Sequence, residues 1–121
     1  MPQYLMCVWF DDEYDSELDR TSPDVMRTNH QIDVLNEEMA ERGIWVFAGG
    51  LEPVDSATVV RSDAGETSMT DGPYAESKDL VTGSMIFEAA SLEDAIDVAR
   101  TCPTYEFGGS VEVRPVQDPR I

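Results

Sequence analysis

Residues 71–78, Asp-Gly-Pro-Tyr-Ala-Glu-Ser-Lys, form the most unusual cluster of side chains in this 121-residue sequence. Asp71, Gly72 and Pro73 are turn chemistry: a carboxylate that can accept from backbone amides, a residue without Cβ, and a ring that fixes φ. In an extended segment after that turn, Tyr74, Glu76 and Lys78 point one way, and Ala75 and Ser77 the other. A phenol, a carboxylate and an ammonium in line can orient a small anionic ligand and shuttle a proton. Lys78 stands out because it is the sole lysine among eight basic residues. The plainer reading is a rigid turn followed by a Glu76–Lys78 surface pair worth under ~1 kcal/mol. His30 is the single histidine, and histidine is the side-chain type suited to proton transfer near neutral pH.

Other reactive constellations fail on residue type or spacing. One histidine and two distant cysteines, Cys7 and Cys102, do not make a zinc site, and no metal is expected. Asp11, Asp12, Glu13, Asp15 and Glu17 lack the glycine and terminal glutamate of a calcium loop, so they read as a solvated acidic stretch. Gly49-Gly50 has no P-loop lysine after it, and no G-x-G-x-x-G is present. Ser68, Ser77 and Ser84 lie in no G-x-S-x-G elbow. Tyr105, Phe107 and Gly108-Gly109 fit a pocket mouth and a packed loop equally well. No cofactor is expected.

These residues need elements to hold them. Tyr4 to Phe10 is a continuously apolar strand: Tyr4, Met6, Val8 and Phe10 share one side, and Leu5, Cys7 and Trp9 the other, so both faces require cover. Ser22-Pro23-Asp24 starts a helix, with serine at the N-cap and proline at N1. That helix runs to about Arg42, with Gly43 as its C′ residue and Val25, Ile32, Leu35 and Met39 as its apolar stripe. His30 falls roughly opposite this stripe, among Arg27, Asp33 and Glu37, as a solvated or pocket-rim histidine would. Ile44 to Phe47 is the next strand. Ala57 to Arg61 and Glu66 to Thr70 form a hairpin about Asp63-Ala64-Gly65. Leu80 to Glu88 is a strand apolar on both faces, Ser91 caps a helix from Leu92 to about Thr101, and Val111, Val113 and Val116 complete a last strand.

The order β-α-β-(ββ)-β-α-β is a ferredoxin-like α+β plan with an inserted hairpin. Two helices would cover one face of an antiparallel sheet. The other face needs a second subunit, with Trp9 or Met6, Trp45 or Val46, and Met85 or Ile86 buried in a sheet-to-sheet homodimer. Length makes residues 1–121 one domain. No apolar run reaches the ~18 residues of a membrane helix. The N-terminus has neither a basic n-region nor an A-x-A-like site, so no signal peptide is expected. Cys7 lies in an apolar strand-like run and the two cysteines form no C-x-x-C, so a reduced, buried thiol is expected, which suggests the cytoplasm.

Twenty-five acidic residues against eight basic ones give a net charge of -17. That charge opposes binding to phosphate backbones and anionic lipid, so neither nucleic acid nor a membrane surface is an expected partner. An acidic, lysine-poor surface suits a high-salt cytoplasm, where salt screens self-repulsion, and equally an ordinary acidic bacterial protein. On the high-salt reading the melting temperature should rise between low and molar salt. A flat response in thermal denaturation would remove the high-salt reading.

The 71–78 segment resembles the signature of DGPF-type proteins in the YCII-related family. The likeness extends to Gly43-Ile44, Ala48-Gly49-Gly50-Leu51, and Gly109-Ser110-Val111-Glu112-Val113-Arg114-Pro115, and so covers nearly the whole chain. It implies a dimeric α+β barrel, in agreement with the two-faced strands. Relatives in the wider family include a dehydrochlorinase, muconolactone isomerases share the fold, and some DGPF-type genes lie beside extracytoplasmic-function sigma factors. YCII relatives also carry an Arg-x-x-His on the first helix within a proposed His/Asp centre. Arg27-Thr28-Asn29-His30 has that spacing, but His30 lies thirteen residues before Gly43, and Ile32 takes the relatives' histidine place. Two functions follow from the resemblance. One is a cofactor-free lyase or isomerase on a small organic acid, with Tyr74 or His30 moving the proton and Lys78 or Arg27 holding the carboxylate. The other is a non-enzymatic regulatory or ligand-binding module, for instance one working with a sigma factor. In both, Asp71, Gly72, Pro73 and Glu76 would contribute to the ligand site.

Overall fold

Alternation along β1 (Gln3–Asp11) sets the two sides of the molecule. Tyr4, Met6 and Phe10 are buried, while Leu5, Cys7 and Trp9 on the opposite face are half-buried. The computed structural model describes residues 1–11, 19, 21–75, 78–103 and 108–118. Most of the acidic stretch, together with Glu76, Ser77, Tyr105 and Phe107, lies outside the described residues.

The first helix, α1 (Pro23–Glu41), begins and ends on local signals. The hydroxyl of Ser22 accepts from the Val25 amide at 3.2 Å, and Pro23 occupies the first turn, where its missing N–H costs nothing. Just upstream, the Thr21 amide and hydroxyl both donate to Asp19 Oδ1, at 2.9 and 2.6 Å. Those bonds hold the exposed Asp19 carboxyl below its ordinary titration range. At the other end Gly43 has φ +74°. Its amide donates to the Ala40 carbonyl, and the Ile44 amide donates to Met39, both at 3.0 Å. This is a Schellman stop, and its two apolar partners, Met39 and Ile44, are buried together in the core.

β2 (Trp45–Gly50) follows, then a short 3₁₀ turn (Val54–Ser56) and a hairpin of β3 (Thr58–Asp63) and β4 (Glu66–Asp71). Positive φ at both Ala64 and Gly65 makes its turn the mirror-image type that matches strand twist. β5 (Asp79–Glu88), α2 (Leu92–Arg100) and β6 (Ser110–Pro115) complete the chain. Ser91 caps α2 by accepting from the Asp94 amide at 3.2 Å, and Glu93 and Asp94 sit at the positive end of the helix.

The main sheet has the order β2-β5-β1-β6, and the pairs β1–β5, β1–β6 and β2–β5 are all antiparallel. With the hairpin set aside, this is the ferredoxin-like order that the element sequence predicts. The hairpin forms a two-stranded sheet of its own. Phe87, Met6 and Met39 are the largest fully buried side chains. They pack between sheet and helices with Ile44, Met85, Ala95 and Val98.

The register resolves which strand residues face inward. Met6 pairs with Met85 in the core, so Trp9 and Ile86 belong to the outer face. A bulge in β2 alters simple alternation there: Trp45 lies opposite Phe87, but Phe47 lies opposite Ile86, and Val46 is the extra residue. Phe47 therefore joins the outer face, 52% exposed. Its ring occupies the space a Cβ at Gly49 would need, 3.0 Å away. Among the described residues, no helix is long and apolar enough to cross a membrane.

Candidate functional site

A cleft of about 450 Å³ opens between α1 and the inner face of the sheet. Its floor is apolar, with Met6 and Val8 from β1 and Met85 from β5. One wall is α1, where Asn29, Asp33 and Asn36 follow each other at intervals of four and three residues, beside the buried Thr28. This spacing places them along one edge of the helix, next to the apolar stripe. The facing side is the Ala48-Gly49-Gly50-Leu51 end of β2. Small residues there leave the space that larger ones would fill, and the Leu51 amide is tied to the Thr82 carbonyl at 2.8 Å. The Asn36 Oδ1 is sealed from solvent and has no hydrogen-bond partner among the described residues.

The residues singled out from the sequence lie elsewhere. His30 is exposed on α1, one position beyond Asn29, and does not line the cleft. Arg27 is also outside the lining and pairs with Asp24 one turn earlier, at 3.2 Å on the helix surface. Tyr74 is 77% exposed and belongs to the hairpin side of the molecule. The guanidinium carbon of Arg61 in β3 stands 5.4 Å from its ring centroid, a cation–π contact. Lys78 is exposed just before β5. Glu76 falls outside the described residues.

Asp71, Gly72 and Pro73 have a visible structural task. The Gly72 amide donates to the Ala57 carbonyl at 2.8 Å, closing the base of the hairpin. A Cβ on Gly72 would sit 2.6 Å from the Ala57 Cβ, so any side chain there forces the two segments apart. The Gly72–Pro73 peptide is cis. No described residue of 71–78 lines the cleft, which is instead bounded by α1, β1, β2 and β5. The cleft lies between sheet and helix, as the fold plan leads one to expect.

The outer face of the sheet carries the second notable feature, Cys7. It faces Ser84 on β5 and Glu112 on β6. Burial pushes its thiol above the ordinary value, the Glu112 carboxylate adds to that, and Arg114 opposes both. Cys7 and Cys102 are both free thiols. Among the described residues, no three metal-ligating side chains converge.

The sheet order, the two helices on one face and the helix-lined cleft define the class: a ferredoxin-like α+β protein with a ligand-sized cavity under its first helix. The sequence profile of the YCII-related domain matches residues 5–119. An uncharacterised protein of Rhizobium meliloti (strain 1021) is 34% identical over 91 residues, covering 74% of this chain and 73% of the relative. The chain belongs to the YCII-related family.

Proposed function

We propose that this chain is a small-molecule-binding protein, acting as a homodimer, with its ligand in the cleft between α1 and the sheet. The cleft is the observation that carries the reading. Its volume of about 450 Å³ lies within the range of ligand pockets, and an apolar floor with a few converging polar groups is their usual chemistry. The proton carriers named for a cofactor-free lyase or isomerase, His30 and Tyr74, do not line the cleft. The proposal therefore concerns binding. The 71–78 segment supports a place in the DGPF-type subgroup.

The homodimer is supported by the outer face. Leu5, Cys7, Trp9, Phe47 and Ile86 form an apolar surface that neither helix covers. Beside it, Glu112 and Arg114 lie two residues apart on the same side of β6. Opposite charges at that spacing suit a two-fold interface, where each can meet its counterpart on the second copy.

Filling the cleft tests the ligand site. Ala48 lines it with a methyl group, so Ala48→Phe occupies the space without removing a hydrogen bond. In a thermal-shift screen of small organic fragments, a ligand at 100 times its Kd stabilises the wild type by about 2.7 kcal/mol. Hits should lose that effect in Ala48→Phe and keep it in His30→Ala and Lys78→Ala. Circular dichroism checks that the filled variant folds. A hit that tolerates Ala48→Phe but is lost in His30→Ala or Lys78→Ala would move the site out of the cleft.

A further inference from the structure

We propose that the cleft selects a small primary amine with an apolar body, its ammonium beside Asp33, and discriminates against carboxylates. The inference rests on the cleft being the ligand site and adds the chemistry of what enters it. Among the described lining residues, the ionisable side chains are Asp33 and the Cys102 thiol, with no arginine, lysine or histidine. Arg27, on the same helix, is held to Asp24 on the helix surface. A carboxylate entering this space would meet a like charge and no described counter-ion in the wall. The net charge of -17 adds a repulsive field around any anion and an attractive one around a cation.

Hydrogen-bonding capacity points the same way. An ammonium offers three donors and no acceptor, whereas a carboxylate offers only acceptors. Asn36 contributes a buried acceptor with no described partner, a state that is unfavourable until a donor is supplied. Asn36 lines the cleft, so its amide lies within the wall that a ligand N–H approaches. Asn29 and Asp33 stand along the same helix edge, so one amine can reach a carboxylate and an amide together. Met6, Val8, Phe10 and Met85 then receive an aliphatic or aromatic body, and burying it supplies most of the affinity, at ~25 cal/mol per Å². No bond is made or broken.

Three probes of nearly equal shape separate the possibilities: phenethylamine, 2-phenylethanol and phenylacetate. Each is titrated calorimetrically into the intact protein at pH 7, in 0.15 M and 1 M salt. The expected order is amine tightest, alcohol weaker, and acid without measurable binding. Asp33 is exposed at the cleft edge, so Asp33→Asn should weaken the amine by roughly two- to fivefold, with a smaller loss for the alcohol. Molar salt should narrow the gap between amine and alcohol. Ala48→Phe should abolish all binding, and Lys78→Ala should leave the amine unchanged. If phenylacetate binds as tightly as the amine and is lost in Ala48→Phe, the cleft is the ligand site but the amine proposal falls. An amine indifferent to Asp33→Asn overturns it as well. Binding that survives Ala48→Phe, or no binding by any probe, overturns both the proposal and the cleft reading beneath it.

Discussion

Replacing Phe87 by alanine should destabilise the protein by about 3–5 kcal/mol, the usual cost of removing a fully buried aromatic ring. Phe87 has 0% exposure and lies opposite Tyr4 in β1 and Trp45 in β2. Its ring stacks with Tyr4 at a centroid distance of 6.3 Å. The deletion removes transfer free energy and leaves a cavity where the sheet meets both helices, and the regular ladder on each side prevents collapse into it. For a domain of this size the melting temperature should fall on the order of 10–20 °C. Phe87→Leu retains most of the volume and should cost roughly 1–1.5 kcal/mol. Urea denaturation followed by circular dichroism measures both. A loss below about 1 kcal/mol for the alanine variant would mean that Phe87 does not anchor the core.

The residue immediately before it should behave in the opposite way. Ile86 faces outward beside Leu5 and Phe47, so Ile86→Arg leaves the inner core intact and places a charge on the face assigned to the second subunit. Light scattering after gel filtration should give about twice 13.4 kDa for the wild type and a single chain for Ile86→Arg, with the circular dichroism spectrum retained. A wild type that runs as one chain, or a variant that keeps its partner, would remove the outer face as the dimer surface. Cys7 gives an independent readout on that face. Burial, with Glu112 adding to it, raises its titration above the ordinary value of 9.0, so at pH 8 it should react with thiol reagents more slowly than an exposed thiol. Dissociation by Ile86→Arg should speed that reaction. For a thiol with a raised folded value, the stability contribution is complete below the ordinary value and fades as pH rises through the folded one. Alkaline destabilisation should therefore begin above pH 9.0 and weaken in Cys7→Ser.

Much of the fold is legible in the sequence because its signals are local. Serine before proline starts α1, the Schellman glycine ends it, and Ser91 starts α2; each is satisfied within a few residues. The strict alternation of β1 likewise follows from the two-residue period of a strand. Where one inserted residue breaks that period, sequence reading loses the face. Trp45 and Phe47 would share a side in a regular strand, and the bulge at Val46 separates them. Only pairing with β5 reveals it.

The site is less legible for the same reason at a larger scale. The 71–78 segment has a distinctive composition, but its glycine closes a hairpin against Ala57, and its tyrosine packs with Arg61. Asn29, Asp33 and Asn36 are common helix-surface residues. The available signal was their position on the margin of the Val25, Ile32, Leu35 and Met39 stripe, where a helix edge leaves the core. Local side-chain patterns settle the elements, their caps and the division of β1 into two faces, since each depends on residues within a turn or two of one another, and composition settles the strongly acidic charge. The tertiary structure alone decided that α1 stands off the small residues of β2 to open a cleft, and that His30 and Tyr74 lie outside it. Those outcomes depend on how a helix rolls and tilts on a sheet, and that is set by packing among residues far apart in the chain.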